Sequence, residues 1–300
     1  MSTPHPGASG RGTAVARRRV AQQQATATKR RRQRNIAFTC IALVIALFAA
    51  LVIAKAATSH TTTASSASSA SSSTQSAAVT ASVVRQATTI PASVYAAVGA
   101  GGTTAQAQPV PSGSQALTEN GKPEVLYLGA AFCPYCAAQR WSLVIALSRF
   151  GTFTGLGLTE SSSSDVYPDT NTFTFLDAKY TSSHLAFTSV ELEDRDDNTL
   201  QTPTAAEEQL LQTDGQGGIP FIDLGGVSML RSSGYSPQLL SGMSWTQIAG
   251  SLTDTTSPAT RAIVGTANRI TGQLCDLTHD QPAAVCQAPE IRALEGTPTS

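Results

Sequence analysis

The stretch AFCPYCAAQRW, Ala131 to Trp141, sets two thiols three positions apart, Cys133 and Cys136. That spacing serves three kinds of chemistry: a redox pair, half of a metal site, or an inert staple. If a helix begins here, Cys133 lies at its N-terminus. Free backbone N–H groups and the helix dipole there favour a thiolate. Cys136 then lies one turn in, close enough to close a small disulfide ring. On that reading Cys133 attacks and Cys136 resolves, through a mixed disulfide. Pro134 suits a first helical turn, where no backbone donor is lost. A structural zinc needs about four ligands. Cys275 and Cys286 have ten residues between them rather than two or four, and no His neighbours Cys133, so no metal is expected.

A redox pair of this kind needs a strand to carry it and a helix to activate it. EVLYLGA, Glu124 to Ala130, is a short run of β-formers and reads as a buried strand. After Pro134, Trp141, Val144, Ile145 and Leu147 to Phe150 recur at helical spacing until Gly151. Further strands are expected at 153–158, 172–176 and 185–192. A helix is expected over Thr202 to Gln212, with Thr202 as N-cap and Pro203 at the first helical position. GGIPFIDLGGVSML reads as two short strands about a turn at Gly225–Gly226, and helices follow at 236–240, 245–252 and 258–274. Pro220 opens the first of those strands, where a proline is disfavoured unless the strand is an edge or the turn is special. A cis Ile219–Pro220 bond is one solution. The order of elements predicts an α/β domain with helices packed on a central sheet.

VLYLGAAFCPYC with its helix, LAFTSVELED, TAAEEQLLQ and GIPFIDLGG together resemble the thioredoxin superfamily over roughly residues 116–252. The resemblance implies that Ile219 and Pro220 face the cysteine pair and dock the substrate chain. Pro134–Tyr135 is similar to the dipeptide of glutaredoxins, which adds both to the substrate-facing residues. More narrowly, AFCPYCAAQRW, SSSSDVYPDTNTFTF and LTHDQPAAVC look like an uncharacterised family of prokaryotic membrane-anchored thioredoxin-like proteins. Two departures stand out. Tyr127 occupies the position where thioredoxins carry a proton-moving Asp. The 87 positions from Cys133 to Pro220 are about twice the usual separation, so a β-rich insertion is expected at about 153–183.

Cys275 and Cys286 fall in LCDLTHDQPAAVC after the last long helix. Four body cysteines allow three pairings. Local pairing, with Cys275–Cys286 as a structural disulfide, is the simplest, and such a bridge contributes about 2–3 kcal/mol in an oxidising compartment. DRDDN, Asp194 to Asn198, starts like a calcium loop but has Thr199 and Ala205 where Gly and Glu are needed, so a solvated acidic turn is expected. The four His residues form no catalytic or metal spacing, and no cofactor is expected.

A net charge of zero hides a split: residues 1–55 carry ten Lys/Arg and no acid, and the other 245 carry ten against twenty acids. Ile36 to Ala54 is a run of nineteen residues without a charge, long enough for the roughly 30 Å hydrocarbon core. It reads as a retained single-pass anchor in the lipid bilayer rather than a cleaved signal, whose apolar region usually runs about 7–15 residues. The basic head puts the N-terminus in the cytoplasm and the body outside. Topology and anionic lipids explain those arginines better than nucleic acid does.

The expected organisation is a basic tail 1–35, a transmembrane helix 36–54, a flexible Ser/Thr/Ala stalk 55–89, an extracytoplasmic domain 90–288 with a helical part from 236, and a tail 289–300. The expected function is a membrane-anchored thiol–disulfide oxidoreductase. Its partners would be protein thiols or disulfides of secreted or envelope proteins and a membrane redox partner. The alternative is a non-catalytic thioredoxin-like scaffold in which both cysteine pairs are staples.

Overall fold

A computed structural model describes residues 65–102, 107–111 and 115–294, with side-chain environments from residue 76 onward. The chain divides into two units, Met1–Ser68 and Ser69–Ser300, and the second holds the sheet and both cysteine pairs. The expected anchor at 36–54 lies outside the described residues. No helix among the described residues is long and apolar enough to cross a membrane.

The first helix among the described residues, α1 (Ser65–Thr88), covers much of the stretch expected as a flexible stalk. Val83 and Ala87 are fully buried, and Val79 and Val84 pack against the same core. Val79, Val83 and Ala87, spaced by four on one face, explain the difference. The domain therefore starts by Val79 and not at Ile90. Helix α2 (Ala92–Val98) follows, then the short strands β1 (Gln108–Pro109) and β2 (Thr118–Glu119).

Strand β3 (Lys122–Gly129) is the middle of the sheet and leads into helix α3 (Pro134–Leu147). Four strands come next: β4 (Gly151–Thr154), β5 (Gly157–Glu160), β6 (Asn171–Thr174) and β7 (Lys179–Ser182). They form two separate antiparallel ribbons, β4 with β7 and β5 with β6. The expected single strand at 153–158 is thus two. Gly155 breaks it at φ +74°, where an added Cβ would come within 2.4 Å of the Asp177 carbonyl oxygen.

Strand β8 (Ala186–Glu191) returns parallel to β3, pairing Val125 with Phe187 and Gly129 with Glu191. Helix α4 (Ala205–Thr213) begins at Thr204 rather than Thr202, because Thr204 and Glu207 form a reciprocal capping box. Strand β9 (Phe221–Leu224) lies antiparallel on the other side of β3, and β10 (Ser228–Leu230) pairs with β9 and β1. The sheet order is β8-β3-β9-β10-β1, with β2 paired to the start of β3. A 3-10 turn (Pro237–Leu240) and helices α5 (Trp245–Ser251), α6 (Pro258–Leu277), α7 (Ala283–Cys286) and α8 (Pro289–Arg292) complete the chain. Ile291 of α8 is fully buried, so 289–292 belongs to the core and not to the expected tail.

Alternation along β3 and β9 divides the core. Val125, Tyr127, Ile222 and Leu224 face the larger cluster under α3 and α6. Leu126, Leu128 and Phe221 face a smaller one with Leu211 of α4. Asp223 pairs with Leu126 across the strands and is only 1 % exposed, accepting a 2.6 Å bond from the Gly226 N–H. Burial raises its carboxyl from 3.8 to about 6; the Gly226 bond opposes this, and Asp214 and Glu124 add to it. The folded state therefore holds this proton up to about pH 6, whereas the unfolded chain releases it near 4. Its contribution to stability is complete below about pH 4 and is lost as pH rises to 6. Asp223→Asn keeps an acceptor for Gly226. It is expected to gain up to about 3 kcal/mol over wild type at pH 7 and nothing at pH 4. Urea unfolding at both pH values checks this, and an equal difference at both would contradict it.

Candidate functional site

The apolar strand β3 ends at Gly129, and three residues later the chain turns into α3. Two bonds extend the parallel pairing into this turn: Leu192 N–H to the Gly129 carbonyl at 2.8 Å, and Ala131 N–H to the Glu193 carbonyl at 2.8 Å. Cys133 is the N-cap of α3 and Pro134 opens its first turn. The Cys136 N–H donates to the Cys133 sulfur at 3.2 Å, so the thiol takes the capping role usually held by Ser or Asp. Both thiols are free. Cys133 is 7 % exposed and Cys136 is 0 % exposed. A redox pair of this kind is expected to have an accessible Cys133 and a shielded Cys136; Cys136 is shielded, but Cys133 is buried as well.

The same geometry separates the two sulfurs electrostatically. The Cys133 thiol is held below its ordinary value, first by the hydrogen bond from the Cys136 side chain. Burial works against this, and the Cys136 N–H, the Arg140 charge and the Tyr135 N–H reinforce it. The Cys136 thiol is pushed well up by burial and by its bond to Cys133, while Arg140 and the Ala130 amide pull it back. One thiol is thus readied as a thiolate and the other kept as a proton holder.

The bond between Ile219 and Pro220 is cis. It brings the Ile219 carbonyl oxygen to 3.9 Å from the Cys133 sulfur, which donates to it. Pro134 and Pro220 are buried, Ile219 is half-buried and Tyr135 is exposed. The structure therefore gathers Cys133, Cys136, Pro134, Tyr135, Ile219 and Pro220 at one place. The segment between α3 and β8 reaches it as well. Ser162, in the loop between β5 and β6, donates to the Phe132 carbonyl at 3.0 Å, and Tyr167 meets the Tyr135 ring edge-on.

Cys275 and Cys286 are bonded to each other with their Cα atoms 5.5 Å apart, tying α6 to α7. Neither is available to Cys133. Asp194 accepts from the N–H groups of Asp196 and Asn198 and from the Asn198 side chain, as an exposed turn does.

Sequence reasoning passed over the residues beneath the thiols. Arg140 and Glu191 form an ion pair at 2.5 Å with both side chains out of solvent. The guanidinium lies over the Tyr127 ring, 5.6 Å from its centre. Burial opposes its charge, but the Glu191 carboxylate, with Tyr127 and Cys136, restores it, so Arg140 stays charged. A signal was present: Arg140 is the sole charged residue of α3 and stands four residues after Cys136, on the same helical face. Its partner is 51 residues away and could not be picked out.

Neither the curated proteins nor the solved structures contain a match to this chain. Residues 108–216, which include both thiols and end just before Ile219, match a family model described as a domain of unknown function, DUF929.

Proposed function

We propose that this domain is a thioredoxin-like thiol–disulfide oxidoreductase acting on protein thiols and disulfides. The observation that carries the proposal is Cys133 at the N-cap of α3, its sulfur taking the Cys136 N–H and facing the carbonyl before a cis proline. The strand order supports the thioredoxin-like reading: β3 lies parallel to β8 on one side and antiparallel to β9 on the other, and α3 and α4 connect them. The basic head and the apolar run 36–54 support a membrane anchor with the domain outside the cytoplasm.

In the reducing direction the Cys133 thiolate attacks a substrate disulfide. A Cys133–substrate disulfide forms and one substrate sulfur leaves with the electron pair. Cys136 then attacks Cys133, the internal disulfide forms and the second substrate sulfur leaves, so two electrons pass to the substrate. A membrane redox partner recharges the pair. The oxidising direction is the reverse, and the relative reduction potentials choose between them. Secreted or envelope proteins are the substrates this location implies.

The small exposure of Cys133 favours a second reading, a scaffold in which Cys133–Cys136 is a staple. Differential alkylation of the full chain over a dithiothreitol series separates the two. Exchange of Cys133–Cys136 while Cys275–Cys286 stays oxidised is the expected result, together with mixed disulfides to partner proteins in a Cys136→Ser variant. Equal resistance of both pairs would leave only the scaffold.

A further inference from the structure

A fully buried arginine is costly unless its donors are used, and those of Arg140 are not. One nitrogen, Nη2, reaches Glu191 at 2.5 Å, while Nε and Nη1 have no partner. The Tyr127 hydroxyl, also fully buried, has none either. It lies so close to Gly129 that a Cβ there would meet it at 2.2 Å. A buried ion pair of this kind is poor value for stability, since apolar residues of similar volume often do as well or better. Unused donors call for another explanation.

Arg140 stands one helical turn below Cys136 on the same face of α3. The groups whose charge acts on Arg140 are Glu191, Tyr127 and Cys136, while β6 brings no charged group to α3 and the turn before Pro237 brings Tyr235, whose hydroxyl donates to the Ala138 carbonyl. Helix α3 brings Cys133 and Arg140, β3 brings Tyr127 and β8 brings Glu191. Strand β9 meets Tyr127 with Ile222, which has no charge, and its acid Asp223 lies on the other face of the sheet. Glu191 is held by a second bond, accepting from the Phe175 N–H at 2.9 Å. The cation is therefore fixed in place.

We infer that Arg140 is a positioning residue for the second half of the exchange, a fixed buried cation that stabilises the Cys136 thiolate as it attacks. This role rests on the redox reading of the cysteine pair. In the mixed disulfide, the Cys136 thiol gives up its proton and attacks the Cys133 sulfur. The Cys133–Cys136 bond forms, the Cys133–substrate bond breaks, and the electron pair leaves on the substrate sulfur, which takes up a proton. Arg140 neither gives nor takes a proton. The oxidant is the substrate disulfide. Both thiols feel the Arg140 charge, but Cys136 is fully shielded from solvent whereas Cys133 is 7 % exposed, and a charge acts more strongly where solvent is excluded.

The test uses the full chain carrying Cys40→Ser as its wild-type reference, with Cys133 and Cys136 reduced and Cys275–Cys286 left oxidised, and Ellman's disulfide, which reports each half of the exchange by colour. Attack by Cys133 releases the first thionitrobenzoate and attack by Cys136 the second. Arg140→Met/Glu191→Gln removes both charges and leaves no lone ion. Its second phase is expected to be at least about tenfold slower at pH 7, its pH midpoint about one unit higher. Its first phase should change much less. Arg140→Lys should recover most of the second phase. If Arg140→Met/Glu191→Gln does not keep the wild-type near-ultraviolet circular dichroism, Arg140→Gln/Glu191→Gln carries the test. An unchanged second phase and midpoint would overturn the role of Arg140 while leaving the redox reading intact. A wild-type chain that releases one thionitrobenzoate or none would overturn the redox reading, and this inference with it.

Discussion

Replacing Glu191 with alanine is expected to lower the melting temperature of the full chain by roughly 6–20 °C, from a loss of about 3–5 kcal/mol. The size follows from what the carboxylate holds. It is the last residue of β8, fully shielded, and accepts from Arg140 Nη2 and from the Phe175 N–H. Alanine strands both donors in a space that water does not reach. The guanidinium is the worse loss, because its other two nitrogen positions already lack partners. Glu191→Gln should cost less, since an amide oxygen still accepts a bond. Adding Arg140→Met to Glu191→Ala should recover a large part of the loss, because the stranded ion goes with it. Scanning calorimetry of wild type, Glu191→Ala, Arg140→Met and the double variant closes the cycle, with Glu191→Gln measured beside them. A fall of under 3 °C for Glu191→Ala would mean that solvent reaches Arg140.

That pair also marks where the sequence stops being readable. The strand-to-helix junction at Cys133 is a local pattern: β-formers from Val125 to Leu128, a proline at the first helical position, then apolar residues at helical spacing. The proline after Ile219 stands where a strand begins, so its special geometry was legible too. Cys275 and Cys286 close a short loop, and chain proximity alone favours their pairing. Arg140 is marked only by being the sole charge on α3, and its pairing with Glu191 has no such aid. Each looks like a surface charge until a parallel crossover sets β8 beside β3. The packing of α1 and the break at Gly155 were hidden for the same reason. Val83 in a Ser/Ala tract and Gly155 in an apolar run take their meaning from neighbours distant in sequence.

Trp141→Ala is expected to cost about 3–5 kcal/mol, and the loss should reach the site through the β5–β6 ribbon. Trp141 is fully buried on α3. Its ring meets Phe173 of β6 at 4.5 Å between centres, and its indole N–H donates to the Asn171 carbonyl at 2.9 Å. Next to it, the Thr172 hydroxyl donates to the Ala137 carbonyl at 2.7 Å. The Trp245 indole N–H reaches the carbonyls of Thr159 and Thr172, one on each strand of the β5–β6 ribbon. The ribbon is thus held by two indoles. Its connecting loop carries Ser162 to the Phe132 carbonyl, one residue before Cys133. Alanine at 141 opens a cavity beside the ribbon and leaves the Asn171 carbonyl without its donor. Trp141→Phe keeps most of the apolar contact and should cost only about 1–3 kcal/mol, the worth of one buried hydrogen bond. Urea unfolding followed by circular dichroism measures both. If the ribbon positions the junction, the iodoacetamide reaction rate of Cys133 should rise in Trp141→Ala and stay near wild type in Trp141→Phe. An unchanged rate in Trp141→Ala, alongside a large loss of stability, would mean that β3 and α3 hold the thiol without help from the ribbon.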